Sequence, residues 1–116
     1  MKRFFKSVGY AWSGVRDILL HEKNFKLMLV AALLTVSAMF YFPTERIENA
    51  ILLVMIFVVL VLELINSVIE RIMNFIHKEH HESIRDIKDL MAAIVLFVSF
   101  GALIIGLYIL GPYLIS

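Results

Sequence analysis

The sequence predicts an all-α membrane protein with three transmembrane helices and an N-terminal amphipathic surface helix. Two observations support this fold class. The hydrophobic fraction is 61% over 116 residues, whereas soluble domains contain about 45–50% apolar residues. The apolar residues are also concentrated in three long runs, and about 20 such residues suffice for a helix that spans a bilayer. We expect residues 1–116 to form a single integral-membrane domain.

The first predicted element is the surface helix, over about residues 2–20. Apolar residues recur at helical spacing from Phe4 through Val8 to Trp12, and basic residues such as Lys6 lie elsewhere around the helix. A helix with an apolar face and a basic face lies in the headgroup region, where its cations meet anionic lipids.

The three apolar runs that follow are each predicted to cross the membrane. Pro43 is expected to end the helix formed by the first run, and a polar loop over 77–83 separates the second run from the third. The third run has no charged residue after Asp89. We expect spans over about 25–42, 48–70 and 90–113.

Basic residues are distributed unevenly between the predicted loops. Five Lys and Arg residues precede the first span and Lys26 lies at its start, one lies between the first and second spans, and four lie between the second and third. The positive-inside rule therefore places the N-terminus and the 77–83 loop in the cytoplasm. Cysteine is absent, which excludes disulfides and thiolate metal sites. The net charge is only +1, and we expect no nucleic-acid partner.

A polar stripe interrupts the second apolar run. Glu63, Asn66 and Glu70 are three and then four residues apart, so they share one helical face. Ionisable groups at membrane depth are costly and indicate function. A buried carboxylate such as Glu63 can act as a general base. The alternative is that Glu63 is a neutral carboxyl group hydrogen-bonded to a neighbouring helix.

Further charged residues are predicted at the cytoplasmic boundary. Glu22 precedes the first span, Glu70 ends the second, and Lys88 and Asp89 begin the third, so the topology brings them to one height. Carboxylates are ligands for Mg²⁺, with phosphate completing its shell, and a lysine neutralises phosphate charge. The alternatives are ion pairing of Glu70, Lys88 and Arg71 at the rim, or a small proton-coupled transporter with Glu63 as its proton site.

Four motifs together resemble the small prokaryotic integral-membrane diacylglycerol kinase family, which includes undecaprenol kinases. Residues 9–16 read Gly-Tyr-Ala-Trp-Ser-Gly-Val-Arg, and residues 22–26 read Glu-Lys-Asn-Phe-Lys. The central motif at 63–70 reads Glu-Leu-Ile-Asn-Ser-Val-Ile-Glu. The last motif is His-Glu at 81–82 followed by Lys-Asp at 88–89.

The resemblance implies a homotrimer in the bacterial cytoplasmic (inner) membrane. Its implied activity is ATP-dependent phosphorylation of a membrane lipid alcohol, most simply diacylglycerol to phosphatidic acid, with undecaprenol as the alternative acceptor. Glu63 is implied as the general base, Asn66 as a residue that orders the site, and Mg²⁺ as the metal that travels with ATP.

The resemblance also implies the binding residues. The implied metal ligands are Glu22 and Glu70. The implied ATP-binding residues are Arg3, Tyr10, Glu22, Glu70, Glu79, His80, His81, Lys88 and Asp89. The implied lipid-binding residues are Arg3, Ser7, Trp12, Arg16 and Glu63. The chain departs from the family pattern at Asn74, where the family usually carries Asp, so a charge is lost there.

Overall fold

The computed structural model describes residues 1–76 and 82–115, which form four helices. The three apolar runs lie in helices long and apolar enough to cross a membrane, as predicted from the sequence. The N-terminal segment is also helical, and its location on a membrane surface stays a prediction. The helices are α1 (Lys2–His21), α2 (Lys23–Tyr41), α3 (Arg46–Ile76) and α4 (Glu82–Ile115).

The helix α3 is the centre of the arrangement, because it packs against both α2 and α4. The helix α1 contacts α2, to which it is joined. At 1.5 Å per residue, the 31 residues of α3 extend about 46 Å and the 34 residues of α4 about 51 Å. Both helices exceed the hydrocarbon thickness of about 30 Å. Their polar ends can therefore reach beyond the hydrocarbon region.

A single extended residue separates α1 from α2. Glu22 has φ −108° and ψ 108°, and its backbone N–H still donates to the carbonyl of Ile18 at the end of α1. The carbonyl of Glu22 in turn accepts the N–H of Lys26 in the first turn of α2. The direction of the chain thus changes at Glu22 alone.

The start of α3 is capped and tied to the end of α4. The backbone N–H of Glu45 donates to Oε1 of Glu48 at 2.9 Å, which is the side-chain half of a capping box. The hydroxyl of Tyr113 donates to the same oxygen at 2.6 Å. These contacts connect α3 and α4 at the end opposite to the polar stripe.

The fourth helix begins earlier than predicted. Glu82 and Ser83 belong to α4, so the prediction that the polar loop extends to residue 83 was wrong. An acidic residue in the first turn interacts favourably with the positive end of the helix dipole, and Glu82 occupies that turn. The remainder of the predicted loop, residues 77–81, lies outside the described residues.

Few side chains are buried within the described part of the chain. Its buried apolar residues are Ile18, Phe25, Leu52, Met91 and Ile109. An apolar cavity of about 430 Å³ also lies between α2, α3 and α4, lined mainly by aliphatic side chains. The hydroxyl of Ser99 lines this cavity and has no hydrogen-bond partner among the described residues. The helices of one chain are thus loosely packed and leave large apolar faces exposed.

Candidate functional site

The polar stripe of α3 is turned toward the interior of the molecule. Glu63 and Ser67 are both 4% exposed, and they are the buried polar residues of the described chain. Asn66 and Glu70 are half-buried on the same side of α3. The spacing of four residues between Glu63 and Ser67 places them one turn apart on this buried face.

The Glu63 carboxyl group makes no hydrogen bond within residues 1–76 and 82–115. The predicted alternative, a neutral carboxyl group bonded to a neighbouring helix, therefore has no partner in the described chain. Glu22 and Glu70 lie close enough for their charges to act on Glu63. Three carboxyl groups from the α1–α2 junction and from α3 thus belong to one electrostatic cluster.

The α1–α2 junction is linked to α3 by an arginine. An Nη atom of Arg71 donates a hydrogen bond to Oδ2 of Asp17 on α1, forming an ion pair. The other terminal nitrogen of Arg71 lies 3.7 Å from Oε1 of Glu22. His21 also lies beside Asp17, with Nδ1 3.0 Å from Oδ1. Because Arg71 follows Glu70 directly, these contacts bring the junction to the polar end of α3.

The start of α4 reaches the same end of α3. Nζ of Lys88 donates a hydrogen bond to Oδ1 of Asn74 at 2.7 Å. Asn74 is the position at which the sequence departs from the family pattern, and its amide oxygen accepts a hydrogen bond without neutralising the lysine charge. Lys88 is half-buried and Asp89 beside it is exposed.

The rim pairing considered as an alternative is realised only in part. Arg71 and Lys88 do have partners, but these are Asp17, Glu22 and Asn74. In the chain apart from residues 77–81 and 116, Glu70 has neither a hydrogen bond nor an ion pair. Its carboxylate is therefore available for another ligand.

The donor set is suited to a metal ion that arrives with a phosphate ligand. No group of three or more His, Cys, Asp and Glu side chains that could hold a metal occurs among the described residues. Mg²⁺ is commonly held by one or two carboxylates, with water and substrate phosphates in the remaining positions. The two carboxylates near the polar end of α3 are Glu22, beside Arg71, and Glu70, which directly precedes Arg71.

The other predicted binding residues are less closely connected to this cluster. Within the described residues, no hydrogen bond or ion pair joins them to α3 or α4, and Ser7 donates to the carbonyl of Arg3 in its own helix. Glu79, His80 and His81 lie outside the described residues. The exposed residues of α1 in the predicted ATP and lipid sites are Arg3, Ser7, Tyr10, Trp12 and Arg16.

The contact between Asp17 and Arg71 was not predicted from the sequence. Asp17 and Arg71 are 54 positions apart, and neither belongs to a periodic polar pattern like that of Glu63 and Glu70. The available signal was the presence of an acidic residue near the end of α1 and a basic residue at the predicted end of the second span. That signal does not specify which partners meet.

The chain has three helices long and apolar enough to cross a membrane. Carboxylates, a lysine and an arginine lie together at one end of these helices. This combination defines a small integral-membrane protein with a polar site at one end. Comparison with known proteins gives the family. The model of the family described as prokaryotic diacylglycerol kinase matches residues 9–110, and the chain belongs to this family. It is accordingly a lipid kinase, which uses ATP as phosphoryl donor. This favours the kinase over the proton-coupled transporter considered from the sequence.

Individual relatives agree with this family. The diacylglycerol kinase of Escherichia coli strain K12 is 32% identical over 102 residues, covering 88% of this chain and 84% of that protein. The diacylglycerol kinase of Helicobacter pylori strain 26695 is 32% identical and covers 97% of this chain and 89% of its own length. The undecaprenol kinase of Bacillus subtilis is also 32% identical, with coverage of 98% and 93%.

The Asp17–Arg71 contact gives a pH-dependent prediction. The hydrogen bond from Arg71 is the main cause that lowers the pKa of Asp17 below its ordinary value of 3.8. A lowered folded-state pKa means that the stabilisation is fully present above pH 3.8 and is lost as the pH falls through the lowered value. Arg71→Gln should raise the pKa of Asp17, as measured by a ¹³C NMR titration of its carboxyl carbon in nanodiscs. An unchanged titration curve would show that the ion pair does not form in the membrane.

Proposed function

We propose that this chain, acting as one domain over residues 1–116, phosphorylates diacylglycerol to phosphatidic acid at the cytoplasmic face of a bacterial inner membrane. The observation that carries this proposal is that Glu22 and Lys88 reach the polar end of α3 beside Glu70. Glu63 lies about two turns deeper on the same face of that helix. Phosphoryl transfer requires a positioned acceptor hydroxyl, neutralisation of phosphate charge and a group that receives the proton. The cluster contains a residue suited to each requirement.

The buried carboxylate of Glu63 is proposed as the general base. It lies seven residues from Glu70, or about 10 Å along the helix axis, on the side of the stripe nearer to the apolar part of α3. A lipid hydroxyl at this depth can give its proton to Glu63 while its acyl chains remain in hydrocarbon. Asn66, one turn from Glu63 and Glu70, is proposed to orient polar groups between them.

Glu22 and Glu70 are proposed to hold Mg²⁺ together with ATP, and Lys88 to neutralise phosphate charge. When bound, Mg²⁺ lowers the charge on the transferring phosphoryl group. The hydrogen bond from Lys88 to Asn74 supports this role, because it holds the ammonium group at α3. The nucleotide site is proposed to be completed by Asp89, Arg3, Tyr10, Glu79, His80 and His81. The lipid is proposed to lie against Arg3, Ser7, Trp12 and Arg16 of α1, which would rest on the membrane surface.

A homotrimer is proposed as the working assembly. The small number of buried side chains supports it, because helices that pack loosely within one chain leave large faces for other subunits. The predicted binding residues of α1 have no polar contact with α3 or α4 of their own chain. In a trimer they are proposed to approach the site of a neighbouring subunit.

Undecaprenol is the second candidate acceptor. It is favoured by the Bacillus subtilis relative, which is named undecaprenol kinase and matches 98% of this chain at 32% identity. Both lipids carry one hydroxyl group at the end of an apolar tail. The purified protein should therefore be assayed in nanodiscs with γ-labelled ATP and each lipid in turn. Phosphatidic acid as the preferred product supports the main proposal, undecaprenyl phosphate supports the alternative, and labelling of neither lipid contradicts both.

The first variant tests the general base. Glu63→Gln keeps the size of the side chain and removes the proton acceptor, so we expect kcat to fall by about 10²-fold or more. The affinity for MgATP should change little, because the proposed nucleotide ligands are intact. Lipid phosphorylation and nucleotide binding should be measured on the same preparations. A collapse of MgATP affinity together with the rate would place Glu63 in the nucleotide site instead.

The second pair of variants tests the metal ligands. Glu22→Gln and Glu70→Gln replace a carboxylate with a neutral amide, which is a poor ligand for Mg²⁺ beside a triphosphate. Each should reduce phosphorylation to near background while the oligomer persists in size-exclusion chromatography. Near-normal turnover across a Mg²⁺ titration by either variant would remove that residue from the metal site.

The third test concerns Asn74 and Lys88. Asn74→Ala removes the acceptor that positions Lys88, and the loss of this exposed hydrogen bond should raise KM for ATP about three- to fivefold, as for a typical hydrogen bond in a protein. Asn74→Asp keeps an acceptor oxygen and should stay within about twofold of the parent. Steady-state kinetics at saturating lipid distinguish the two. Equal effects of Ala and Asp would show that the positioning of Lys88 is not the relevant property.

Orientation is tested by labelling single cysteines, which is straightforward because the chain contains none. Glu45 and Ser83 are both exposed, one before α3 and the other at the start of α4. With Glu45→Cys, an impermeant maleimide should label intact spheroplasts, whereas Ser83→Cys should react only after permeabilisation. The opposite pattern would reverse the topology, and a site that uses intracellular ATP would be untenable.

A further inference from the structure

The position of Glu22 depends on two helices that meet at this residue. Glu22 is both the last cap of α1 and the first cap of α2, and its backbone is extended. A single residue of this kind allows the two helices to change their relative direction by rotation about few bonds. The carboxylate of Glu22 therefore has a defined location only if α1 and α2 are held relative to the rest of the molecule.

Arg71 supplies a link that holds the α1 side of this junction. It lies on α3 next to Glu70, and it donates a hydrogen bond to Asp17 in the last turns of α1. Its second contact, 3.7 Å from Oε1 of Glu22, is longer than a hydrogen bond. Asp17 is thus the anchor of the guanidinium group, and Glu22 is held near it without being fully engaged.

Charge also favours this arrangement. Asp17, Glu22 and Glu70 place three carboxyl groups near the polar end of α3, with Glu63 about two turns deeper. Like charges at close range repel. The Arg71 guanidinium group lies among them with about half of its side chain exposed. It offsets part of that repulsion and holds Glu22 at the level of α3 where Glu70 precedes Arg71.

We infer that Arg71, anchored by Asp17, is a positioning residue that keeps the Glu22 carboxylate beside Glu70 for the metal that accompanies ATP. This inference rests on the proposed metal role of Glu22 and Glu70. It assigns a task to two residues that touch neither the nucleotide nor the lipid. It also links the orientation of α1 to the geometry of the metal site through one side chain.

The test measures metal binding without turnover. Mn²⁺ replaces Mg²⁺, and its binding is followed by electron paramagnetic resonance in the presence of a non-hydrolysable ATP analogue. Asp17→Asn and Arg71→Gln should each weaken Mn²⁺ binding about fivefold, the upper range for an exposed ion pair. The double variant should be no weaker than either single variant, because both changes break the same contact. Arg71→Lys keeps the positive charge that pairs with Asp17 but lacks the fork, so its loss should be smaller than that of Arg71→Gln.

Lys23→Gln is the matched control. It removes a positive charge from the residue beside Glu22 and leaves the Asp17–Arg71 contact in place, so its Mn²⁺ affinity should equal that of the parent. If Arg71→Gln does not fold, Asp17→Asn alone decides the question, since Asp17 contributes only the anchor.

Three results would overturn the inference: Mn²⁺ affinity that is unchanged in Asp17→Asn, additive losses in the double variant, or an equal loss in Lys23→Gln. Additive losses would mean that Arg71 contacts the nucleotide by itself. A parent protein that holds no Mn²⁺ with the nucleotide would overturn it as well. Lipid phosphorylation is assayed separately. A parent protein that binds Mn²⁺ as expected but phosphorylates neither lipid contradicts the proposed function and leaves the positioning role supported.

Discussion

Glu63 occupies the buried face of a helix that is otherwise apolar along most of its length, with 4% of its surface exposed. A charged side chain at the centre of a bilayer costs about 3 kcal/mol on insertion scales. Two features keep Glu63 from being an isolated polar group on this face. Ser67 places a hydroxyl group one turn away on the same face, and the stripe continues through Glu70 to the polar end of α3. The polar residues thus form a path from the buried carboxyl group to the boundary rather than an isolated charge.

The other helices are arranged around this end of α3. Arg71 connects it to the α1–α2 junction, and Asn74 connects it to α4 through Lys88. The opposite end is closed by the hydrogen bond between Tyr113 and Glu48. Between the two ends, contacts are apolar and leave a cavity. Directional polar contacts therefore determine how the helix ends meet, whereas the middle of the molecule is held by less specific apolar packing.

The number and approximate location of the helices could be predicted from the sequence because apolar runs of spanning length have few other stable structures. The shared face of Glu63 and Glu70 followed from helical geometry alone. The partners of Arg71 and Lys88 could not be predicted in this way. They depend on how each helix is rotated about its axis, and residues 54 and 14 positions apart carry no periodic signal for that rotation. The sequence predicted that the loop extends through residue 83, because residues 82–83 are polar as loop residues often are. The helix α4 nevertheless begins at Glu82, and an acidic residue in the first turn also suits a helix.

The unbroken course of α3 from Arg46 to Ile76 restricts how this protein can change over evolution. Each residue added to an α-helix turns everything beyond it by about 100°. An insertion between Glu63 and Glu70 would move one carboxylate to another face, and no loop within that stretch could absorb the change. Insertions and deletions should therefore be excluded from this segment among related sequences and accumulate instead near Pro43 and in the connection before α4. Variation inside the stripe should be confined to exchanges of one side chain for another, which leave the helical phase intact.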